Sequence, residues 1–64
     1  MEVHALVNRI RNEFIEMPGL QLTVRQAARF WGLEHSICEN VIDMLVASSF
    51  LRRTPSGMVS RIEM

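Results

Sequence analysis

The residues in this chain able to do chemistry are arginines set apart from acids. Arg25 and Arg29 stand in a stretch, residues 18–32, that holds no Asp or Glu. Arg52, Arg53 and Arg61 fall in residues 50–64, where Glu63 is the single acid. A guanidinium is a fixed positive charge whose planar fork matches the oxygens of phosphate or carboxylate. The pattern therefore points to holding an anion rather than to making or breaking a bond. The residues between, 33–47, carry the opposite sign: Glu34, Glu39 and Asp43, with no Arg. Nothing in the sequence reads as a nucleophile with its base, a carboxylate pair in a cleft or a phosphate-cradling glycine loop, and 64 residues leave little room for a pocket. No enzymatic activity is expected. Cys38 is the one Cys, and His4 and His35 are far apart with no further ligand at metal-binding spacing, so no metal or other cofactor is expected.

Composition sets the frame for those residues. All seven bases are Arg, they are balanced by seven acids, and the formal net charge is zero. A nucleic-acid binder usually carries a basic excess, so any such binding here rests on segregation of charge. A chain of 64 residues makes one domain, spanning 1–64, and buries only about 60% of the surface its unfolded form exposes. Its 48% hydrophobic content and five Met residues supply dense, adaptable apolar surface. A lone Cys forms no internal disulfide, which fits a reducing compartment. Glu2 at the N-terminus without a basic, then apolar, segment argues against a signal peptide, and no apolar run approaches a membrane span. A cytoplasmic protein with no membrane association is expected.

The elements that must position the arginines follow from periodicity and punctuation. Helix 1 is expected over about 2–17, with Val3, Leu6, Val7, Ile10, Phe14 and Met17 on one face, ended by Pro18-Gly19. Leu20-Gln21-Leu22 reads as an extended link able to pair with a later hairpin. Thr23 with Gln26 three residues on is a capping box, and starts helix 2, about 24–31, with Val24, Ala27, Ala28 and Trp31 inward and Arg25, Gln26 and Arg29 outward. Gly32 closes it with positive φ, and Leu33 plugs the turn. Helix 3, about 35–47, begins either with Glu34 as N-cap or with a Ser36–Glu39 capping box. Cys38, Val41, Ile42 and Leu45 share its inner face; Ser36, Asn40, Asp43 and Ala47 share the opposite one. Residues 50–62 form a hairpin, the wing, turning at Thr54-Pro55-Ser56-Gly57, with Thr54 opposite Met58, Leu51 opposite Arg61, and Arg52 and Arg53 on opposite faces. The fold class expected is mainly α with a small β-hairpin, a three-helix winged helix-turn-helix. Its core is Leu6, Ile10, Phe14, Ala28, Trp31, Leu33, Cys38, Ile42, Leu45 and Leu51.

Ala28 and Gly32, flanked by Ala27, Trp31, Leu33, Cys38 and Val41, together with the junction VIDMLVASSFLRR, make the chain resemble the winged helix-turn-helix family of bacterial DNA-binding domains. The segment from about Phe14 to Arg61, with EMPGLQLT and FLRRTPSG, also looks like a set of short uncharacterised bacterial winged-helix proteins. The resemblance implies that helix 3 enters the major groove of double-stranded DNA, where His35, Ser36 and Asn40 are base-reading candidates; Asn bonds adenine bidentately and Ser bonds a base or a phosphate. It implies phosphate or wing contacts from Thr23, Arg25, Arg29, Arg52, Arg53 and Arg61. Glu39 and Asp43 depart from the pattern, since both sit on the reading face and would repel phosphates.

Two functions are therefore expected to compete. The first is DNA binding by a small cytoplasmic transcriptional regulator acting as a homodimer, paired through helix 1 by Met1, Val3, Val7 or Ile15. The alternative is a protein-protein interaction winged helix, an assembly or adaptor module, with Ile15, Ile37 and Met44 as interface candidates, because the helical spacing leaves them off the core.

Overall fold

A computed structural model describes residues 3–62; Met1, Glu2, Glu63 and Met64 lie outside it, and with them the expected part of Met1 in a dimer. The order is α1 (Val3–Glu16), β1 (Gln21–Thr23), α2 (Val24–Trp31), α3 (His35–Ala47), β2 (Leu51–Arg53) and β3 (Met58–Arg61). This is the three-helix winged helix-turn-helix architecture. The extended link after α1 is a true strand. It pairs antiparallel with β3 at Gln21↔Ser60, Leu22↔Val59 and Thr23↔Met58. The hairpin keeps the expected register, Leu51↔Arg61, Arg52↔Ser60 and Arg53↔Val59, so β3 is central in a sheet of order β1-β3-β2.

Local chemistry fixes the ends of each element. The capping box at Thr23 is complete: the Gln26 N–H donates to Thr23 Oγ1 at 3.1 Å and the Thr23 N–H donates to Gln26 Oε1 at 3.0 Å. At the other end of α2, Gly32 has φ 65°, and the Leu33 N–H reaches back to the Ala28 carbonyl at 2.8 Å. This is a Schellman turn, with glycine where a Cβ would crowd the backbone. Helix 3 starts at Glu34, which caps with its backbone alone and makes no side-chain cap bond; the Ser36–Glu39 box does not form. In the wing, the Thr54 N–H donates to the Met58 carbonyl at 2.8 Å and the Gly57 N–H to the Thr54 carbonyl at 2.9 Å, with Gly57 at φ 87°.

The end of α3 repeats the geometry of Gly32 without a glycine. The Ser49 N–H donates to Val46 O and the Phe50 N–H to Leu45 O, both at 3.0 Å, and Ser49 is the one non-glycine residue at positive φ, 63°, among those described. Phe50 therefore belongs to the helix stop, and β2 begins one residue later than expected. A serine in this conformation is strained by about 1 kcal/mol. Ser49→Gly is expected to raise stability by roughly 0.5–1 kcal/mol, part of the gain being offset by the freer unfolded chain, and Gly32→Ala to lower it by about 1 kcal/mol. Thermal unfolding followed by circular dichroism reads both; a lower midpoint for Ser49→Gly would contradict the turn.

The core lies between the three helices and one face of the sheet. Leu6, Ile10 and Phe14 come from α1, Ala27, Ala28 and Trp31 from α2, Cys38, Val41, Ile42 and Leu45 from α3, and Leu51 and Val59 from the wing. Leu33, expected in this set, is only half-buried. As the residue just past Gly32 it packs on the edge of the core and leaves one side open. Val3 and Met17, at the two ends of the apolar stripe of α1, are exposed, because the helix overhangs what it packs against. The Ala pair of α2 leaves room for α3, against which α2 packs. Trp31 meets Phe14 at 5.9 Å between ring centroids, and its buried Nε1 has no hydrogen-bond partner among the described residues.

Candidate nucleic-acid interface

The tight turn between α2 and α3 fixes the residues on either side of it. Arg25 and Arg29, one helical turn apart on α2, and His35, the first residue of α3, line a shallow cup whose floor is Ala28, Gly32 and Leu33. The open side of Leu33 faces this cup, which is the physical reason for its partial exposure. Among the described residues no carboxylate pairs with Arg25 or Arg29, so both guanidinium groups keep their donors for a ligand. Thr23 stands at the start of the same helix, and its hydroxyl oxygen already accepts the Gln26 N–H. Only its own O–H remains to be given.

On α3, Glu39 and Asp43 each lie beside a basic side chain of the same surface. His35 Nε2 lies 3.6 Å from Glu39 Oε2, one turn along the helix, an attraction that is full only when the imidazole is protonated. Asp43 forms an ion pair with Arg53 of β2, its Oδ1 accepting from the guanidinium Nη2. The sequence reading placed Asp43 as a bare charge facing phosphates; the structure instead joins it to the wing. Both partners are well exposed to solvent, so the pair contributes little to stability. Its consequence is positional: it sets the wing arginine against the outer face of α3. Ser36 and Asn40, also exposed on α3, make no side-chain hydrogen bond to another described residue, and their polar groups are available.

The remaining wing arginines are placed elsewhere. Cross-strand register puts Arg52 in a row with Ser60 and Gln21, on the sheet face opposite the one carrying Leu51 and Val59. Arg61 lies at the far end of β3 from the turn. Its guanidinium is 5.5 Å from the Phe50 ring centroid, and that of Arg11 from α1 is 5.2 Å from the same ring, a cation–π arrangement. The structure thus assembles Arg25, Arg29 and His35 in one cup and ties Arg53 to the outer face of α3. It sets Arg52 and Arg61 apart from both.

The apolar candidates are exposed as expected: Ile15 at 43%, Ile37 at 39% and Met44 at 40%. Phe30, which the sequence reading passed over, is the most exposed large hydrophobic residue described, at 58%. It stands edge-on to Trp31, with centroids 5.6 Å apart. Its place beside Trp31 but off the Ala27–Ala28–Trp31 face was the available signal. Cys38 is fully buried and its Sγ lies 3.8 Å from the Val24 carbonyl. Burial, with a smaller push from the Glu39 charge, raises its pKa, which suits a packed thiol rather than a reactive one. Among the described residues no helix is long and apolar enough to cross a membrane.

No protein-family model, no curated protein and no solved structure matches this chain.

Proposed function

We propose that the chain binds double-stranded DNA through α3, with phosphates held by the cup of Arg25, Arg29 and His35, as a small bacterial transcriptional regulator of the winged helix-turn-helix family. The observation that carries this reading is the division of charge across the helix-turn-helix. The two acids on the outer face of α3 each lie beside a basic side chain, Asp43 against Arg53 and Glu39 against His35, while no carboxylate among the described residues pairs with Arg25 or Arg29. A surface arranged in this way offers positive charge to a polyanion without a net basic chain. Ser36 and Asn40 then supply base-edge chemistry, Asn40 toward adenine, and the Asp43–Arg53 pair holds the wing alongside. Few phosphates are contacted, so affinity is modest and falls steeply with salt. A fluorescence titration of random duplex DNA at two salt concentrations tests this reading, and saturable binding that weakens with salt is the expected result.

The domain acts as a homodimer in this proposal, paired through α1, where Val3 and Ile15 are exposed and Val7 is half-buried. Two-fold pairs dominate among homo-oligomers. Sedimentation is expected to show a dimer whose population rises with concentration, and a strict monomer at high concentration would contradict it. The second reading, a protein-interaction module, is favoured by the exposure of Ile37 and Met44 on one flank of α3.

A further inference from the structure

The cup on α2 contains one group whose charge is not fixed. Arg25 and Arg29 stay protonated throughout the range in which proteins work, whereas an imidazole gains or loses its charge between about pH 5 and 8. His35 lines the cup with both arginines, and its Nε2 lies 3.6 Å from Glu39 Oε2. The charges around it come from two elements. From α2, Arg25 and Arg29 repel a proton on the ring. The N-terminus of α3 does the same, because His35 is the first helical residue and sits at the positive end of the helix dipole. Glu39, one turn along, attracts the proton, and Glu34 is the residue just before His35. All five side chains are exposed, so water and salt soften each of these forces.

A phosphate in the cup changes that balance. Its negative charge offsets Arg25 and Arg29, which removes most of the repulsion an imidazolium feels there, and its oxygens accept from the ring N–H. We propose that duplex binding is coupled to uptake of a proton by His35, so that acidification strengthens binding; this rests on the duplex reading for the phosphate. Protonation acts at two places at once. It gives the cup a third positive charge. It also completes the attraction between His35 and Glu39, offsetting a carboxylate that faces the nucleic-acid backbone. Both effects have the same direction. The bound state then holds more protons than the free state, so affinity rises as pH falls, and duplex raises the proton affinity of His35 by the same factor that the proton raises duplex affinity. A single linked proton limits the change to about tenfold per pH unit.

Fluorescence titrations of random duplex DNA with the full chain, at one low salt concentration and several values from about pH 5.5 to about pH 8, test the coupling. Parent affinity is expected to fall about tenfold as pH rises over that range. His35→Gln should lose the dependence and stay at or below the parent's affinity at about pH 8 throughout. His4→Gln, which changes the other imidazole, should titrate like the parent. Glu39→Gln should bind more tightly than the parent at about pH 8, and its pH dependence should move to more acidic values, since the free imidazole has lost its carboxylate. Ring NMR of His35 gives a readout independent of affinity: saturating duplex should move its titration midpoint to higher pH. The two ways of failing are distinct. No duplex binding at any of these pH values removes the duplex reading and the coupling with it. Saturable binding of equal strength across the range, a dependence that survives His35→Gln or disappears in His4→Gln, an unmoved dependence in Glu39→Gln, or an unmoved His35 midpoint would each overturn the coupling and leave duplex binding standing.

Discussion

Leu45→Ala is expected to leave most molecules unfolded at physiological temperature. Leu45 is 2% exposed at the meeting of α3 with the rest of the core, and its carbonyl accepts both the Phe50 N–H and the Ser48 hydroxyl, each at 3.0 Å. It therefore anchors the core and sits where the chain turns from α3 into the wing. Truncating a buried Leu costs about 2–5 kcal/mol, with the spread set by how far the surroundings collapse. Whole domains are stable by roughly 5–15 kcal/mol, and a chain this short sits at the low end because it buries a smaller share of its surface. A loss of that size removes a large part of the total. Met44→Ala, one residue away but well exposed, should change stability by no more than about 0.5 kcal/mol. Urea unfolding of the two variants makes the comparison, and a Leu45→Ala midpoint equal to that of the parent would refute the core assignment.

Most of the fold could be read from residues whose effect is local. Thr23 with Gln26, Gly32, and Thr54 to Gly57 each determine a cap or turn within a few residues, and each takes the expected form. Helical spacing placed Ile10, Phe14, Cys38, Ile42 and Leu45 correctly, because a stripe has to meet the remainder of the core whatever the partner. The misplacements share a cause. Leu33, Val3 and Met17 sit at margins, where burial depends on how far the neighbouring element extends, and sequence does not state that distance. The stop at Ser49 was hidden because the signal for a left-handed residue is usually glycine, and here a serine takes the position. The candidate site was legible in residue type but not in pairing. Asp43 and Arg53 are ten residues apart with a helix end and a turn between them, so nothing in their spacing announces the ion pair. Strand alternation already set Arg52 and Arg53 on opposite faces; what it could not state is that Arg53 meets Asp43 of α3 while Arg52 stands in the row with Ser60 and Gln21.

The Asp43–Arg53 pair also shapes the duplex prediction. Arg25→Ala/Arg29→Ala is expected to lower duplex affinity by about a hundredfold or more at low salt, since charge-assisted hydrogen bonds contribute roughly 1.5–3 kcal/mol each and every 1.4 kcal/mol is about tenfold. The loss should be alike for all sequences, and the plot of log affinity against log salt should become shallower by about 0.9 for each phosphate contact removed. Asn40→Ala should behave differently. It should weaken a preferred site by about 1–3 kcal/mol, relax its sequence preference and leave the salt slope unchanged, because a base contact specifies where a phosphate contact positions. Asp43→Asn should strengthen non-specific binding, both by removing a negative charge and by releasing Arg53. Adding Arg53→Ala to Asp43→Asn separates the two causes: if release of Arg53 is the larger, most of the gain disappears in the double variant. Failure of the parent chain to bind duplex DNA at low salt, with Asp43→Asn revealing none, would end the DNA reading. Helix 3 would then be a docking face for protein, with Ile37 and Met44 as its apolar anchors and the engaged acids at its rim, and Ile37→Asp should abolish that association while leaving the fold intact.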